Sequence, residues 1–268
     1  MGNFCRLTQR GVIEVTGADR IDFLQGLVSN DVALAAPGHP VFAAFLTPQG
    51  KWLADFLIFA DGDRLLLDAE AGQVAMLVQK LSRFRLRMKV ALADVSDVLG
   101  VYVGWDGPPP AGASPDPRLP ALGWRLIAPP GLATTASADD WDAHRLALGV
   151  PDGSRDLESD KTVLLEAGYD ELAGISWTKG CYMGQELTAR TKYRGLLKRR
   201  LVRVEGVMPA PGTPILRDGV EVGTMRSGRG EVGLAVLRLD AMGAALTADG
   251  AALRAAPPDW MRLPEQAT

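Results

Sequence analysis

Lys179-Gly180-Cys181-Tyr182-Met183-Gly184-Gln185-Glu186 is the stretch on which the reading of this chain turns. It places one of only two cysteines between two glycines, with a lysine upstream and a basic run downstream. A cysteine attacks or ligates as its thiolate, and a neighbouring cation or a helix N-terminus favours that form. Glycines permit tight turns and the close approach of a ligand. Upstream, residues 172–177 are strand-like; downstream, 186–194 carry a helical pattern that Gly195 stops. A strand, a glycine loop and a helix in that order would turn the first helical amides toward Cys181 or a bound anion. Lys179 and those amides are therefore expected to make Cys181 a reactive thiolate. A small buried thiol in a tight turn is the competing reading.

Between Glu186 and Glu205 the chain has Arg190, Lys192, Arg194, Lys198, Arg199, Arg200 and Arg203, and no acid. Arg190 and Arg194 are one helical turn apart and would share a face. Guanidinium forks suit carboxylates and phosphates, so these two are candidate anion ligands. Lys198 to Arg200 read equally well as a solvated charge run. Trp177 could stack on a flat heterocycle or fill the core. Glu166, in Leu164-Leu165-Glu166-Ala167-Gly168-Tyr169, could accept from a ring amidine or be a helix-surface charge.

Composition narrows the classes. At 268 residues, 47% hydrophobic and 23% charged, the chain can bury a substantial core. A net charge of −3 provides no global basic field, so direct nucleic-acid binding is not expected. Two cysteines are too few for a disulfide framework and suit a reducing compartment. Neither histidine stands at metal-ligand spacing from a cysteine, so a zinc site is not expected. Common phosphate loops and a Ser/His/Asp set are absent from the sequence. Apolar runs are strand-sized, so no membrane role is expected. With no signal-peptide pattern at the start, a cytoplasmic protein is the expectation.

Along the chain, 11–16 alternate as a strand and Asp19 is placed to cap a helix over 21–28. Residues 41–46 and 52–59 read as a hairpin about Thr47-Pro48-Gln49-Gly50, and 72–81 as a helix. Arg83, Arg85, Arg87 and Lys89 alternate with Phe84, Leu86, Met88 and Val90. Period two predicts a strand with one cationic face, either anion-facing or solvated. A proline-rich loop follows at 106–120, and 141–148 reads as a short helix. From about Leu201 short glycine-punctuated strands suggest a small all-β module.

At this point the pieces resemble a known family. The octet with Leu172-Ala173-Gly174-Ile175-Ser176-Trp177 before it and Ala189-Arg190-Thr191-Lys192-Tyr193-Arg194-Gly195 after it is similar to the signature of the YgfZ family. These are folate-binding proteins of iron–sulfur cluster assembly and repair, relatives of the aminomethyltransferase (T-protein) of the glycine cleavage system. Three further stretches agree: Gly17-Ala18-Asp19 through Phe23-Leu24-Gln25-Gly26 to Asn30-Asp31-Val32; Leu46-Thr47-Pro48-Gln49-Gly50-Lys51; and Val222-Gly223-Thr224-Met225-Arg226-Ser227-Gly228 with Gly233-Leu234-Ala235.

The resemblance implies an α+β, three-lobed aminomethyltransferase-like folate-binding fold with a small C-terminal β-barrel. Residues 1–200 would be the folate-binding region, as two interleaved lobes, and 201–268 the barrel. It implies tetrahydrofolate as cofactor, Cys181 as the functional residue with Lys179 beside it, and Arg145, Glu166, Trp177, Gln185, Arg190 and Arg194 on the folate side. The implied function is folate-dependent assembly or repair of [4Fe–4S] clusters in client enzymes, with tRNA modification affected indirectly. Partners would be those clients or cluster-assembly proteins. Two alternatives stand beside it: a tetrahydrofolate-dependent aminomethyl or demethylating transferase, and an RNA-binding adaptor using the basic run. Against the transferase, Asp68-Ala69-Glu70-Ala71 stands where a T-protein has an asparagine–alanine stretch.

Overall fold

Strands β1 (Asn3–Arg6) and β2 (Arg10–Thr16) follow one another in the chain but join different sheets. The computed structural model describes residues 2–263. After β2 come helix α1 (Arg20–Gln25), strands β3 (Val41–Leu46), β4 (Trp52–Asp61) and β5 (Arg64–Glu70), helix α2 (Val74–Phe84) and strand β6 (Ala91–Asp94). They build an antiparallel sheet in the order β3-β4-β5-β2-β6. Next are β7 (Gly100–Trp105), the short β8 (Ser114–Pro115), β9 (Trp124–Ala128) and helix α3 (Ala138–Ala147). With β1 these strands make a second sheet, β1-β7-β9-β8.

The expected hairpin forms, with Val41 opposite Ile58. Every residue of β3 is buried, because both faces of the first sheet are covered. Val41, Ala43 and Phe45 pack with Leu77 and Leu81 of α2. Phe42, Ala44 and Leu46 pack on the other side with Trp52, Leu165, Tyr169 and residues of the C-terminal module. Such two-sided burial produces a continuous apolar run in place of alternation.

Helix α4 (Gln185–Tyr193) precedes that module, which comprises β10 (Arg199–Gly206), β11 (Pro214–Arg217), β12 (Val220–Arg229), β13 (Val232–Arg238), β14 (Leu246–Ala248) and β15 (Ala251–Ala255). They close as β10-β13-β12-β11-β14-β15, with β15 returning to β10, so no strand edge is left open. The mixed α and β fold with a C-terminal barrel is the one expected from the sequence.

Three local expectations are corrected. Arg83 to Val90 do not form a strand. Helix α2 continues through Phe84, and a turn closed by Met88 N–H to the Arg85 carbonyl follows. Leu86 adopts φ +46° and is 88% exposed, so the alternation produces no cationic face. Residues 172–177 are turns as well: Leu172 N–H reaches the Gly168 carbonyl, Gly174 N–H the Tyr169 carbonyl, and Ala173 sits at φ +53°. Asp19 makes no side-chain cap to α1; its carboxylate accepts from Lys89 N–H at 2.7 Å, joining α1 to the turn after α2.

Buried ion pairs join the lobes. Asp68 is fully buried and accepts from Arg10 Nε at 2.6 Å and from Arg125. Arg125 Nε also donates to Asp116 at 2.8 Å, as does Arg118. Asp68, where the sequence leaves the T-protein pattern, is thus enclosed between two arginines. Arg145 of α3 corrects a further expectation. Its guanidinium is 2% exposed and donates to Asp142, Asp156, the Val150 carbonyl and Ser227 of β12. With its donors engaged inside the protein, it locks the barrel to α3 and faces no cleft.

Burial alone would raise the Asp142 carboxyl, but the bond from Arg155 and the charge of Arg145 bring it down from 3.8 to about 2. The unfolded chain therefore binds this proton at higher pH than the folded one. Its contribution, about 2 kcal/mol, is complete above the unfolded value and is lost as pH falls through the folded one. Denaturant unfolding between pH 5 and pH 2 should show the wild type losing roughly that much more stability than Asp142→Asn.

Candidate functional site

Cys181 is exposed on the loop that leads into α4, whereas Cys5, the other cysteine, is buried between β1 and its neighbours. Burial pushes the Cys5 thiol up to about 11.

The octet loop is braced from three directions. From residues 26–30, Ser29 O accepts Ser176 N–H at 3.0 Å and Ser29 Oγ donates to the Gly174 carbonyl at 2.6 Å. Asn30 Nδ2 donates to the Ala173 and Phe42 carbonyls, and the Gly26 carbonyl accepts Met183 N–H at 3.1 Å. From the β3–β4 turn, Gly50 meets Gly184 backbone to backbone. A Cβ built on Gly184, at φ +82°, would lie 2.6 Å from the Thr47 carbonyl oxygen. From α4 itself, Gln185 Oε1 accepts Tyr182 N–H at 3.3 Å. Motifs far apart in sequence thus converge on one loop.

Lys179 departs from its expected place beside the thiol. Its ammonium donates to the Val28 and Asn30 carbonyls, each at 2.7 Å, and lies 5.3 Å from the Tyr182 ring centroid. Burial lowers it to about 8. Its two bonds join that of Met183 in tying the octet itself to residues 26–30.

A cleft of about 360 Å³ lies between the β3–β4 turn, the 3-10 turn Leu164–Ala167 and the barrel, and none of its lining residues belongs to the octet. Glu166 lines it together with Lys51, Lys161, Lys198, Arg199 and Arg226. Burial pushes the Glu166 carboxyl up, opposed by the Val163 N–H and by the charges of Lys51 and Arg199. Glu158 pairs with Lys161 and Arg226, but Glu166, Lys51, Lys198 and Arg199 form no ion pair among the described residues. The cleft therefore offers a carboxylate to a hydrogen-bond donor and cations to an anion.

The other expected ligands lie apart from it. Trp177 is half-buried, donates from Nε1 to Asp170 at 2.7 Å, and has the Lys192 ammonium 4.0 Å from its ring centroid. One ring face is therefore already covered by a cation. Arg190 on α4 and Arg194 just after its end are exposed and line neither this cleft nor the others described. Lys51 and Arg226 lie in stretches that carry the family resemblance but had no sign of a ligand role, and Lys161 carried no sequence signal; three separated segments bring them together. Asp55 was missed too. It is buried in β4 and accepts from Trp52 Nε1 at 3.1 Å and Tyr169 Oη at 2.6 Å, and burial raises its carboxyl.

Two outcomes follow from this geometry. Native alkylation followed by peptide mass analysis should label Cys181 and leave Cys5 unmodified until the protein unfolds. Gly184→Ala combines a positive φ with a backbone clash. It should destabilise by about 2 kcal/mol or more in denaturant unfolding, whereas Gly180→Ala, with open space around it, should incur only the strain of its φ.

Comparison with known proteins places this geometry. Residues 198–263 match the family model described as CAF17, C-terminal beta-barrel domain. A solved aminomethyltransferase T of the glycine cleavage system from Bartonella henselae superposes with a TM-score of 0.79. That alignment covers 97% of this chain and 86% of that one at 14% identity, a likeness of fold. The mitochondrial iron–sulfur cluster assembly factor IBA57 of Homo sapiens is 33% identical over 299 residues, spanning 95% of this chain and 84% of its own length. The Mycosarcoma maydis homolog is 37% identical over 235 residues, spanning 78% of this chain and 58% of its own. These relatives are mitochondrial proteins, which overturns the cytoplasmic expectation drawn from the start of the sequence. The likeness to the human factor runs through nearly the whole chain, octet and barrel alike, and the chain belongs to the family of iron–sulfur cluster assembly factor IBA57.

Proposed function

We propose that this protein is a tetrahydrofolate-dependent accessory factor for assembling or repairing [4Fe–4S] clusters on client enzymes, with Cys181 as its reactive thiolate. The observation that carries the reading is an exposed thiol on a braced loop in a chain of the IBA57 family. A cluster takes about four thiolate ligands, and this chain has one exposed cysteine. The remaining ligands come from a client or an assembly protein, so the cluster is cargo shared across an interface. Effects on tRNA modification would follow from failing iron–sulfur clients.

Folate suits the cleft that Glu166 lines. A pterin ring presents an amidine-like donor edge, which Glu166 could accept, and its first glutamate carries carboxylates that Lys51 could meet. Half-burial of Glu166 strengthens such a bond by excluding water.

Two measurements test the reading. Cluster transfer to an apo-[4Fe–4S] enzyme should be lost in Cys181→Ser while circular dichroism and melting stay unchanged; full activity in that variant removes the thiol from the mechanism. Calorimetry should show tetrahydrofolate binding weakened about tenfold or more by Glu166→Gln, since a charge-assisted bond becomes a neutral one.

A further inference from the structure

The folate cleft does not end at its cations. Lys198 and Arg199 line it, and they also line a second cleft of about 470 Å³, whose other walls are Leu197, Arg238, Leu239 and Asp240. The two depressions share those two residues, so a ligand extending from Glu166 over Lys198 and Arg199 toward Arg238 would follow a single path. The path runs along the start of β10, where the Lys198 carbonyl accepts Leu239 N–H at 3.0 Å and so fixes the backbone.

Its charge is not balanced by the protein. Arg199 stands directly opposite Arg238 in the β10–β13 ladder. Like charges facing each other across a strand pair are destabilising, and an anion between them would relieve the repulsion. Arg238 has Asp240 as partner at 2.6 Å, but Lys198 and Arg199 have none among the described residues. Two unpaired cations fixed between two clefts, facing a third, suit a flexible ligand with anionic groups spaced along its length.

Resting on the folate reading above, we infer that the ligand is a poly-γ-glutamylated folate, with its tail carboxylates passing over Lys198 and Arg199 into the second cleft. The first cleft takes the ring and the first glutamate; the second takes the additional glutamates. Lys198 and Arg199 are then specificity-determining residues for tail length. Each exposed carboxylate–cation contact adds little by itself, so preference for the long tail accumulates over several contacts and is sensitive to salt.

The experiment is calorimetry of the intact protein with tetrahydrofolate monoglutamate and triglutamate, at low and at near-physiological salt. Wild type, Lys198→Ala/Arg199→Ala and Arg190→Ala/Arg194→Ala are compared. The triglutamate should bind wild type about tenfold tighter than the monoglutamate at low salt, with a smaller margin at higher salt. The Lys198/Arg199 variant should bind both forms with the wild-type monoglutamate affinity to within about threefold, so that the tail advantage disappears. The Arg190/Arg194 variant removes equal charge from outside the path and should keep the advantage. Equal binding of the two forms by wild type overturns the inference and leaves the folate reading standing. Equal loss of tail preference in both variants also overturns it, since general surface charge would then explain the preference. Failure of both forms to bind overturns the folate reading and the inference together.

Discussion

Where the turn after β3 meets the loop before α4, two backbones pass so closely that neither glycine could carry a side chain. A Cβ on Gly50 would sit 2.6 Å from the Gly184 carbonyl oxygen, and one on Gly184 equally close to the Thr47 carbonyl oxygen. Both glycines have φ near +80°, which side-chain-bearing residues adopt only with strain. This contact sets where α4 begins, how the octet loop leaves the first sheet, and so where Cys181 is presented. It also fixes Lys51, the residue after Gly50, at the mouth of the cleft that Glu166 lines.

The remaining ties are polar, and they hold irregular backbone. Residues 172–184 have no strand partner, so their amides and carbonyls must be satisfied otherwise. Ser29 and Asn30 supply part of that, accepting from Ser176 N–H and donating to the Gly174 and Ala173 carbonyls, while Lys179 reaches the other way to the Val28 and Asn30 carbonyls. Lys179 is instructive. A lysine near a cysteine suggests thiolate activation, but its four-carbon stem carries the ammonium onto the Val28 and Asn30 carbonyls. Arg145 shows the same principle in the interior. Its guanidinium closes on Asp142, Asp156 and Ser227, and that triad holds the barrel against the rest of the chain.

Much of the fold was legible. The β3–β4 hairpin, the helical stripe of α2 and the glycine-punctuated strands of the barrel each follow a periodicity set by local geometry. Arg83 to Val90 misled because two-residue alternation over the end of an amphipathic helix looks like a strand, and only the continuation of Leu77 and Leu81 into the core decides between them. Residues 172–177 misled because apolar side chains that anchor a set of turns resemble those of a strand. Of the site, Cys181, Glu166 and the basic character after α4 could be read directly. The shared placement of Lys51 and Arg226 could not, since one follows a hairpin turn and the other lies in a barrel strand, and no local pattern joins the two.

By itself the sequence determined which chemistry is present: one thiol in a glycine loop, a carboxylate in a short apolar turn, and a run of cations without acids. Those are properties of residue types and near neighbours, and near neighbours are what periodicity and turn chemistry encode. The tertiary structure decided which groups remain available. It buried Arg145 and Cys5, turned Lys179 onto carbonyls, covered one face of Trp177 with Lys192, and left Cys181, Lys198 and Arg199 facing outward. Availability depends on what lies across a sheet or behind a turn, as far as 151 residues away for Lys179 and Val28, and only packing brings those partners together.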